Sequence, residues 1–526
     1  MRKLLFIAIL FLCLVLRFYK ITKVPASLNW DEVSNSYNAY SILKTAKDEY
    51  GNFLPLVNRS FDDYKPPAYM YFTIPSVWIF GLSEFAARLP SAIFGVLTCV
   101  SIFFLAKKLT GSNAVSYTSF FLLSITPWHI QFSRAGFEAN AGLFFVVSGF
   151  TFLLYSIRKF PLRLTSYIYF LISAVFFVLS FYSYHAYRIV VPLMVLAFYV
   201  AFRGKFRQIP KKIVIIYVIV ILGLISPLFL ALPKEAFLKR FEATSQKVQK
   251  TDVDKSIELI DQDLEGSFAI GRFIHNRRVE ISKTYVSNYL SHFNFNFLFL
   301  EGDGEIRHHV QNMGELFLFQ LPLLVFGFYR FFQNLDKNKL FIITLLLIAP
   351  TGAITGSEVP HAIRSYTMVI PVTIISAFGL VELWKIVVRK HIYIVILAFI
   401  ISLSSLIYFE EYFKHYPIYS AQAWQFASRK AALTTKNLEN KYTQITVDSH
   451  NIEQAYIFWL FYTKYDPDGF QKSGSREKFG KYIFDSNPPK DSNSLYVTNV
   501  LSDNFEKIET ISFPNGEKGL EIGSVR

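Results

Sequence analysis

Length, composition and charge place the chain in a class before any motif is considered. It has 526 residues, of which 52% are hydrophobic and only 18% carry a formal charge. Soluble proteins carry more charge than this, and apolar runs long enough to cross about 30 Å of hydrocarbon recur along the sequence. The composition excludes an ordinary soluble protein and predicts a multi-pass membrane protein.

The first sixteen residues, MRKLLFIAILFLCLVL, combine two basic residues with an apolar run, as a secretory signal does. The run ends in Arg17 and Lys20, however, without the small residues that a cleavage site requires. We therefore expect an uncleaved membrane anchor.

Apolar segments of roughly 16–24 residues recur about eleven times and predict membrane spans. The segment 68–82 is apolar too, but Pro75 interrupts it, which predicts a re-entrant or interfacial helix. Together these segments predict an all-α membrane domain over residues 1–410, with outer loops at 20–87 and 233–312. The predicted spans are approximately 4–19, 88–108, 112–127, 138–157, 164–183, 186–203, 211–232, 315–333, 339–356, 365–388 and 391–409.

Basic residues gather in every second connection between the predicted spans. If the N-terminus lies inside, the inner connections hold 18 Lys and Arg residues and one clear acid, Asp336, whereas the outer loop 233–312 holds 12 acids and 11 bases. This asymmetry follows the positive-inside rule and predicts an inside N-terminus and an outside C-terminus. It also accounts for much of the net charge of +15, so no nucleic-acid partner is expected.

Beyond residue 410 the sequence loses its long apolar runs. Residues 423–438 have helical periodicity, and "YTQITVDS", "SLYVTNV" and "KIETISF" have the composition of short strands. About 115 residues is enough for one small domain. We therefore predict a soluble α/β domain over 411–526, on the outer side of the membrane.

Polar and charged residues concentrate in the connections predicted to lie outside. Each of these segments adjoins the outer end of a predicted span, so we expect them to meet at one face of the membrane. There they would supply carboxylates, which can activate a hydroxyl, and cations, which can hold a phosphate. Besides the "DE" at 31–32, the segments are "FDDYKPPAYMYF" (61–72), "PWHIQFSRAGFEAN" (127–140), "YSYHAYR" (182–188), "GDGEIRHHVQNMGE" (302–315) and "SEVPHAIRSY" (357–366).

The order of three motifs resembles a known family. "DE" follows the first span, "KPP" precedes the re-entrant segment, and "SEFAARLPSAIFGVLT" leads into the second span. This arrangement is similar to polyprenyl-phosphate-sugar-dependent glycosyltransferases of the GT-C type, which include protein O-mannosyltransferases and lipid A aminoarabinose transferases. The resemblance covers most of residues 1–410 and is strongest in 1–140.

The resemblance implies roles for particular residues. Asp31 corresponds to the catalytic carboxylate of the first outer loop, and Lys65 to the lysine that binds the lipid phosphate. Glu138 stands where the family usually has a second aspartate at the start of the fourth span. The chain lacks the large carbohydrate-binding insertion of the O-mannosyltransferases, so protein is not the default acceptor.

Each of these residues also has a purely structural interpretation. Asp31 and Glu32 could cap a helix and pair with its dipole, and the prolines after Lys65 could simply start a helix. Arg134 and Glu138 are four residues apart and could pair on a helix surface for about 0.3 kcal/mol.

The histidines and the last arginine of the outer connections complete the predicted site. We expect Arg364, His361, His308 and His309 to contact the donor phosphate. The alternatives are a solvated histidine pair, a metal site, for which two adjacent histidines are weak evidence, and contact of Arg364 with lipid headgroups. "DGE" at 303–305 resembles a metal-binding DxD motif only loosely, and we expect no metal and no other cofactor.

The sequence thus predicts a hexosyl- or pentosyltransferase of the cytoplasmic membrane. It would move a sugar from a polyprenyl phosphate to a hydroxyl of a lipid, glycan or protein acceptor on the outer face. Asp31 would take the hydroxyl proton with support from Glu32, Glu138 would assist, and Lys65 and Arg364 would stabilise the leaving phosphate. The alternatives are a transporter or flippase of lipid-linked sugars, and an assembly or sensor protein that works through its C-terminal domain.

Overall fold

The computed structural model describes residues 2–158, 164–233, 250–265, 271–356, 358–388 and 391–526. These residues are mostly helical, with one two-stranded and one six-stranded sheet. The helices are α1 (Arg2–Phe18), α2 (Trp30–Thr45), α3 (Ala68–Phe80), α4 (Glu84–Thr110), α5 (Asn113–Ile125), α6 (Pro127–Arg134), α7 (Glu138–Arg158), α8 (Leu164–Ser183), α9 (Tyr187–Phe206), α10 (Lys211–Ala231), α11 (Lys250–Glu265), α12 (Gly271–Ile274), α13 (Arg277–Ser291), α14 (Gln320–Gln333), α15 (Lys337–Ile348), α16 (Val369–Val387), α17 (His391–Glu410), α18 (Tyr416–Tyr419), α19 (Phe426–Leu438), α20 (Ala455–Thr463) and α21 (Pro467–Ser473). The strands are β1 (Asn58–Ser60), β2 (Asp63–Lys65), β3 (Gln444–Val447), β4 (Lys478–Phe479), β5 (Tyr482–Phe484), β6 (Ser494–Thr498), β7 (Phe505–Ser512) and β8 (Lys518–Val525).

A helix overlaps each predicted membrane span, and the chain is a multi-pass membrane protein. Among the described residues, seven helices are long and apolar enough to cross a membrane. The helices α1, α5, α14 and α15 have only 12–17 residues, so the predicted number of about eleven spans is not confirmed. Proline shortens two of them: α5 stops before Pro127, and α15 gives way to a 3-10 turn that contains Pro350. The seven segments are Glu84–Thr110, Glu138–Ile157, Leu164–Ser183, Tyr187–Phe206, Lys211–Ala231, Tyr366–Val387 and His391–Tyr419.

The apolar segment 68–82, which follows Pro66 and Pro67, forms a short helix, as predicted. With 13 residues α3 cannot reach across about 30 Å of hydrocarbon. Its residues Met70 and Val77 pack on Ala39 and Ile42 of α2 and on Ala86 of α4. The helix therefore braces α2, whose first turn carries Asp31.

Two helices of the bundle approach each other backbone to backbone. A Cβ atom added at Gly379 of α16 would lie 2.0 Å from the carbonyl oxygen of Leu323 in α14, and one added at Gly327 of α14 would lie 2.3 Å from that of Ile375. Small residues permit this close packing in membranes, where lipid offers no hydrophobic drive for helix association. The contact fixes α16 and thus the segment that leads into it.

The C-terminal residues form the predicted α/β domain. Its sheet has the strand order β4-β5-β3-β6-β8-β7, in which β3 runs parallel to both β5 and β6 and the other pairs are antiparallel. The helix predicted over 423–438 is α19, and the apolar helix α20 is buried almost entirely against the sheet and α2.

The C-terminal domain docks directly on the first outer loop and α2. Their residues share one hydrophobic cluster, in which Val33 and Tyr37 of α2 lie with Tyr456 and Trp459 of α20. The hydroxyl of Tyr37 donates a 3.1 Å hydrogen bond to the carbonyl oxygen of Tyr465. This docking places the loop after β3 next to the start of α2.

Candidate active site

A cavity of about 600 Å³ lies where the helices meet the C-terminal domain. Its walls include residues from all six polar segments that were predicted to lie outside, so the expected convergence of these segments is confirmed. The loop before α20 adds two residues that the sequence did not suggest. The lining consists of Asn29, Trp30, Asp31, Ser60, Phe61, Asp62, Asp63, Lys65, Pro66, Gly136, Phe137, Glu138, Tyr184, His185, Glu305, Arg307, His308, Glu358, His361, Ile363, Glu453 and Gln454.

The cap at the start of α2 places the side chains of the neighbouring acids Asp31 and Glu32 in different surroundings. Asn29 caps the helix: its Oδ1 accepts a 2.9 Å hydrogen bond from the backbone N–H of Glu32, and Oε2 of Glu32 accepts a 3.0 Å bond from the N–H of Asn29. This reciprocal capping box satisfies two backbone donors of the first turn. It turns Glu32 inward, whereas Asp31 lines the cavity.

Glu32 is held by a buried arginine and a backbone amide. Nε of Arg88 lies 2.9 Å from Oε1 of Glu32, and the N–H of Gly136 donates to the same oxygen over 2.8 Å. Arg88 also donates to the carbonyl oxygens of Ile21 and Pro25. Because Glu32 is buried and does not line the cavity, it ties α2, α4 and the turn before α7 together. The structural interpretation of the acidic pair therefore holds for Glu32.

Asp31 forms an ion pair with Lys65, and both residues line the cavity. Lys65 ends β2, where it pairs in register with Asn58 of β1. Burial disfavours the charge of Lys65, but the carboxylates of Asp31 and Glu138 outweigh burial and raise the pKa of Lys65 above its ordinary value. A carboxylate and an ammonium group thus face the same cavity.

The C-terminal domain fixes the hairpin that carries Lys65. Nη1 of Arg476 lies 3.0 Å from Oδ1 of Asp62 at the hairpin turn, and Nη2 donates to the carbonyl oxygen of Phe61. The same guanidinium donates a 2.7 Å hydrogen bond to the hydroxyl of Tyr50. A residue more than 400 positions away in sequence therefore positions Lys65.

Glu138 begins α7 at the cavity wall. Its Oε1 accepts a 3.1 Å hydrogen bond from Nδ2 of Asn35, and the helix N-terminus favours a negative side chain in this first turn. The alternative of a pairing with Arg134 on one helix surface does not apply, because α6 ends at Arg134 and α7 begins at Glu138. Arg134 instead donates to the carbonyl oxygens of Leu16 and Tyr19.

Arg307 is a cation of the cavity that the sequence analysis did not single out. Its Nε and Nη2 donate to the carboxylate of Glu305 over 3.0 and 2.9 Å, and the guanidinium lies 5.3 Å from the centre of the Trp30 ring. Burial disfavours its charge, but Glu305 and Asp31 outweigh burial and raise the pKa of Arg307. The only sequence signal was its place in the polar segment 302–315.

His308 and His361 lie at the cavity wall around a buried aspartate. Nδ1 of His308 and the N–H of Ala362 each lie 2.7 Å from Oδ2 of Asp303, and the two imidazole rings are 5.3 Å apart. Burial, together with His308 and Arg364, lowers the pKa of His361 to about 2. His361 is therefore neutral at physiological pH, so it can offer a phosphate a hydrogen bond but not a positive charge.

Two predicted phosphate ligands are not part of the cavity lining. Both ring nitrogens of His309 face backbone carbonyl oxygens, those of Val310 at 3.0 Å and Asp303 at 2.8 Å. The guanidinium of Arg364 packs over Gly356, since a Cβ atom added there would lie 2.1 Å from Nη1. Neither side chain is among the described lining residues, and the role of both as phosphate ligands stays a prediction.

Known proteins share this architecture. The profile of the family "Dolichyl-phosphate-mannose-protein mannosyltransferase" matches residues 64–230. ArnT from Cupriavidus metallidurans, solved bound to undecaprenyl phosphate, superposes with a TM-score of 0.55 at 11% identity, covering 98% of this chain and 97% of that chain. Its apo form gives a TM-score of 0.54 at 12% identity, over 99% and 97% of the two chains. This chain has the GT-C fold.

A second relative of the GT-C fold is larger. The oligosaccharyltransferase of Archaeoglobus fulgidus, in complex with Zn and sulfate, gives a TM-score of 0.50 at 14% identity. The match covers 87% of this chain but only 61% of that protein, so this chain spans about three fifths of its length. No curated protein sequence matches this chain. At these identities the likeness concerns the fold, and it confirms the GT-C resemblance predicted from the sequence.

One group of side chains at the wall of this cavity could hold a divalent cation. Ligand atoms of Asp303, His308 and His361 lie within 4.8 Å of one another, and carboxylate with imidazole is a ligand set that suits zinc. Oδ2 of Asp303 already accepts a hydrogen bond from the backbone N–H of Ala362 and lies 2.7 Å from Nδ1 of His308. Among the described residues, a second such group, Glu410, Glu411 and His415, lies away from the cavity.

Proposed function

We propose that this chain is a membrane glycosyltransferase that moves a sugar from a polyprenyl phosphate to an acceptor hydroxyl. The observation that carries the proposal is the ion pair of Asp31 and Lys65 at a cavity of about 600 Å³. The match to the mannosyltransferase family supports sugar as the transferred group. The GT-C fold shared with an ArnT bound to undecaprenyl phosphate supports a polyprenyl phosphate as the carrier.

Asp31 is the general base of the proposed reaction. The acceptor oxygen forms a bond to the anomeric carbon while the bond from that carbon to the phosphate oxygen breaks. The hydroxyl proton passes to the carboxylate of Asp31, and the polyprenyl phosphate departs with the bonding electron pair. A positioned carboxylate contributes about 10²–10⁴ in rate to such a proton transfer. The family resemblance implies inversion at the anomeric carbon.

Lys65 and Arg307 hold the phosphate. Both are charged groups of the cavity, and charge-assisted hydrogen bonds stabilise the negative charge that accumulates on the leaving group. Arg307 takes the place predicted for Arg364. The neutral His361 and its neighbour His308 can add hydrogen bonds to the phosphate or the sugar.

The remaining acids have separate tasks. Glu138, held by Asn35, orients a sugar hydroxyl at the cavity wall. Glu32 keeps Asp31 in place through its bonds to Arg88 and Gly136. Glu32 is thus a positioning residue, and its assignment among the catalytic groups is revised.

The cavity faces the outer side of the cytoplasmic membrane in this proposal. All six polar segments at its wall belong to connections that the distribution of Lys and Arg places outside. A polyprenyl-phosphate sugar is available on that side, whereas a nucleotide sugar is not. The N-terminus then lies inside and the C-terminal domain outside.

The test of the proposal is a direct assay of donor use. Purified protein is incubated with a panel of polyprenyl phosphates that carry different radiolabelled hexoses and pentoses, with and without cell-envelope glycans and lipids as acceptors. We expect release of free polyprenyl phosphate with at least one donor. Failure to release it from any donor, by a folded protein, would refute the proposed function. No observation on the described residues favours the transporter or sensor alternative.

A further inference from the structure

A second cavity of about 520 Å³ lies beside the active-site cavity, in the C-terminal domain where Trp30 of α2 closes its wall. We call it the interdomain cleft. The two cavities share two lining residues, Trp30 and Glu453. A molecule in the interdomain cleft could therefore extend past Trp30 to Asp31.

The interdomain cleft lies at a point of the sheet where α/β domains often bind ligands. Asn451 follows β3, and Asn499 directly follows the parallel neighbour β6. The chain leaves β3 toward β5 on one side, whereas β6 lies on the other side. Loops that diverge beyond the carboxyl ends of parallel strands leave a crevice, and both asparagines line it.

The lining of the interdomain cleft suits a neutral sugar. It contains four primary amides, those of Gln422, Gln425, Asn451 and Asn499, each of which can both donate and accept hydrogen bonds. Trp30 and Phe513 add aromatic faces, and Glu453 and Lys518 are the only charged residues among the described residues of the lining. The lining also includes the apolar residues Ala427, Ile452, Val500 and Leu520, but a lipid chain would leave the four amides without hydrogen-bond partners. An anionic polymer would need several cations. Paired hydroxyl groups on a ring with apolar faces fit these side chains.

The side-chain amide of Gln425, in the wall of the cleft, is only partly satisfied within the protein. Its Nε2 donates to the carbonyl oxygen of Ala423 over 2.9 Å, whereas its Oε1 is buried and has no hydrogen-bond partner among the described residues. A buried acceptor without a donor is costly. This oxygen has almost no accessible surface, so a ligand hydroxyl would reach it only if the side chain turned toward the cleft.

The residues that precede α19 and α20 have unusual backbone conformations. Gln425 has φ = 45° and Gln454 has φ = 51°, in the left-handed region that favours glycine. Gln425 lines the interdomain cleft, and Gln454 lines the active-site cavity. Non-glycine residues in such conformations cluster at ligand sites, where the surroundings hold them.

We propose that the interdomain cleft binds a neutral glycan that belongs to the acceptor. This inference rests on the proposed function, because it names the acceptor class for the same reaction. The sugar that carries the attacked hydroxyl would lie near Asp31, and the adjoining sugars would continue past Trp30 into the cleft. The acceptor is then a saccharide chain rather than a bare lipid or a peptide.

The first test measures glycan binding without any donor. Short neutral oligosaccharides of different linkage are titrated into the full-length purified protein, with saturation-transfer NMR as the readout. Asn499→Ala and Gln422→Ala should each weaken binding about threefold to tenfold, since each removes one hydrogen-bonding group. The control is Asn504→Ala, an exposed asparagine outside the cleft, which should bind as the parent does.

The second test measures transfer. With a glycan acceptor, the same two variants should raise the acceptor KM by a similar factor, while hydrolysis of the donor by water stays at the parent rate. Gln422 is exposed, so its variant remains informative if a substitution at Asn499 impairs folding.

The outcomes separate this inference from the proposed function. If oligosaccharides fail to bind, or if lipids or peptides are glycosylated equally well by parent and variants, the glycan proposal is overturned while the transferase proposal stands. If no donor releases polyprenyl phosphate but glycan binding still depends on Asn499, the proposed reaction fails and the glycan site stands.

Discussion

Glu32 and Arg88 form an enclosed ion pair, with 2.9 Å between Oε1 and Nε and side chains that are 1% and 0% exposed. The pair joins the first turn of α2 to α4, and the turn at Gly136 binds the same carboxylate. The position of Asp31 therefore depends on two buried charges that are not among the described lining residues of the cavity.

Loss of one partner of this pair should destabilise the fold. Arg88→Met leaves the carboxylate of Glu32 buried without its cation, and breaking a buried pair in this way costs about 3–5 kcal/mol. Thermal unfolding of the purified variant in detergent should show a large drop in midpoint. Lys283→Gln is the control, because it removes an exposed pair with Glu280 that is worth about 1 kcal/mol or less. Equal midpoints for the two variants would contradict the anchoring role.

Donor binding should depend on the two cavity cations. Lys65→Ala and Arg307→Ala each remove a charge-assisted bond to phosphate, worth about 1.5–3 kcal/mol, or about tenfold to a hundredfold in donor KM. Arg364→Ala is the matched control, since its guanidinium packs over Gly356 outside the cavity. If Arg364→Ala has a large effect and the other two variants have normal kinetics, Arg364 binds the donor phosphate, as the sequence predicted.

Stability should fall as the pH rises toward neutrality because of Glu49. Burial is the main cause that raises the pKa of Glu49 to about 7, and Nδ2 of Asn38 lies 3.0 Å from its Oε1. The folded state then holds a proton between about pH 4.5 and pH 7 that the unfolded state has lost, so the stabilisation disappears as the pH rises through this window. The slope is about 1.4 kcal/mol for each pH unit. Glu49→Gln should flatten unfolding curves between pH 5 and 7, and an unchanged slope would contradict this assignment.

Turnover should survive removal of divalent cations. In the proposed reaction, Lys65 and Arg307 supply the positive charge that stabilises the leaving phosphate. Dialysis against EDTA should therefore leave the rate unchanged. A loss that zinc or manganese restores, and that Asp303→Asn makes permanent, would place a cation at Asp303, His308 and His361 instead.

The sequence predicted the helices and the site residues that lie at the ends of apolar runs. Asp31, Lys65 and Glu138 lie in polar segments near apolar runs, and the family resemblance singled them out as site residues. The structure brings all three to one cavity. Local patterns also predicted β3, β6, β7 and α19, but not β4, β5 and β8.

Tertiary contacts determine which side chains reach the two cavities, and the sequence alone does not predict this. The register of the cap at Asn29 determines that Asp31, and not Glu32, lines the cavity. Arg307 and Arg364 lie in similar polar segments, and only the backbone path of each loop shows which one reaches the cavity. The residues of the interdomain cleft come from Trp30 and from loops beyond residue 420, so no local pattern could join them.

The central claim is that Asp31 takes the proton of the acceptor hydroxyl. Asparagine has the size of aspartate and can form hydrogen bonds, but it cannot accept that proton. The measurement is the single-turnover rate of sugar transfer by Asp31→Asn at saturating donor, normalised to the fraction of folded protein, with Asp468→Asn as a control at an exposed carboxylate far from the cavity.

We expect Asp31→Asn to bind donor with an affinity close to that of the parent and to lose about two to four orders of magnitude in rate. Asp468→Asn should react as the parent does, and folded Glu32→Gln should lose much less than Asp31→Asn, because Glu32 acts only through position. An Asp31→Asn enzyme that transfers sugar at the parent rate would contradict the account.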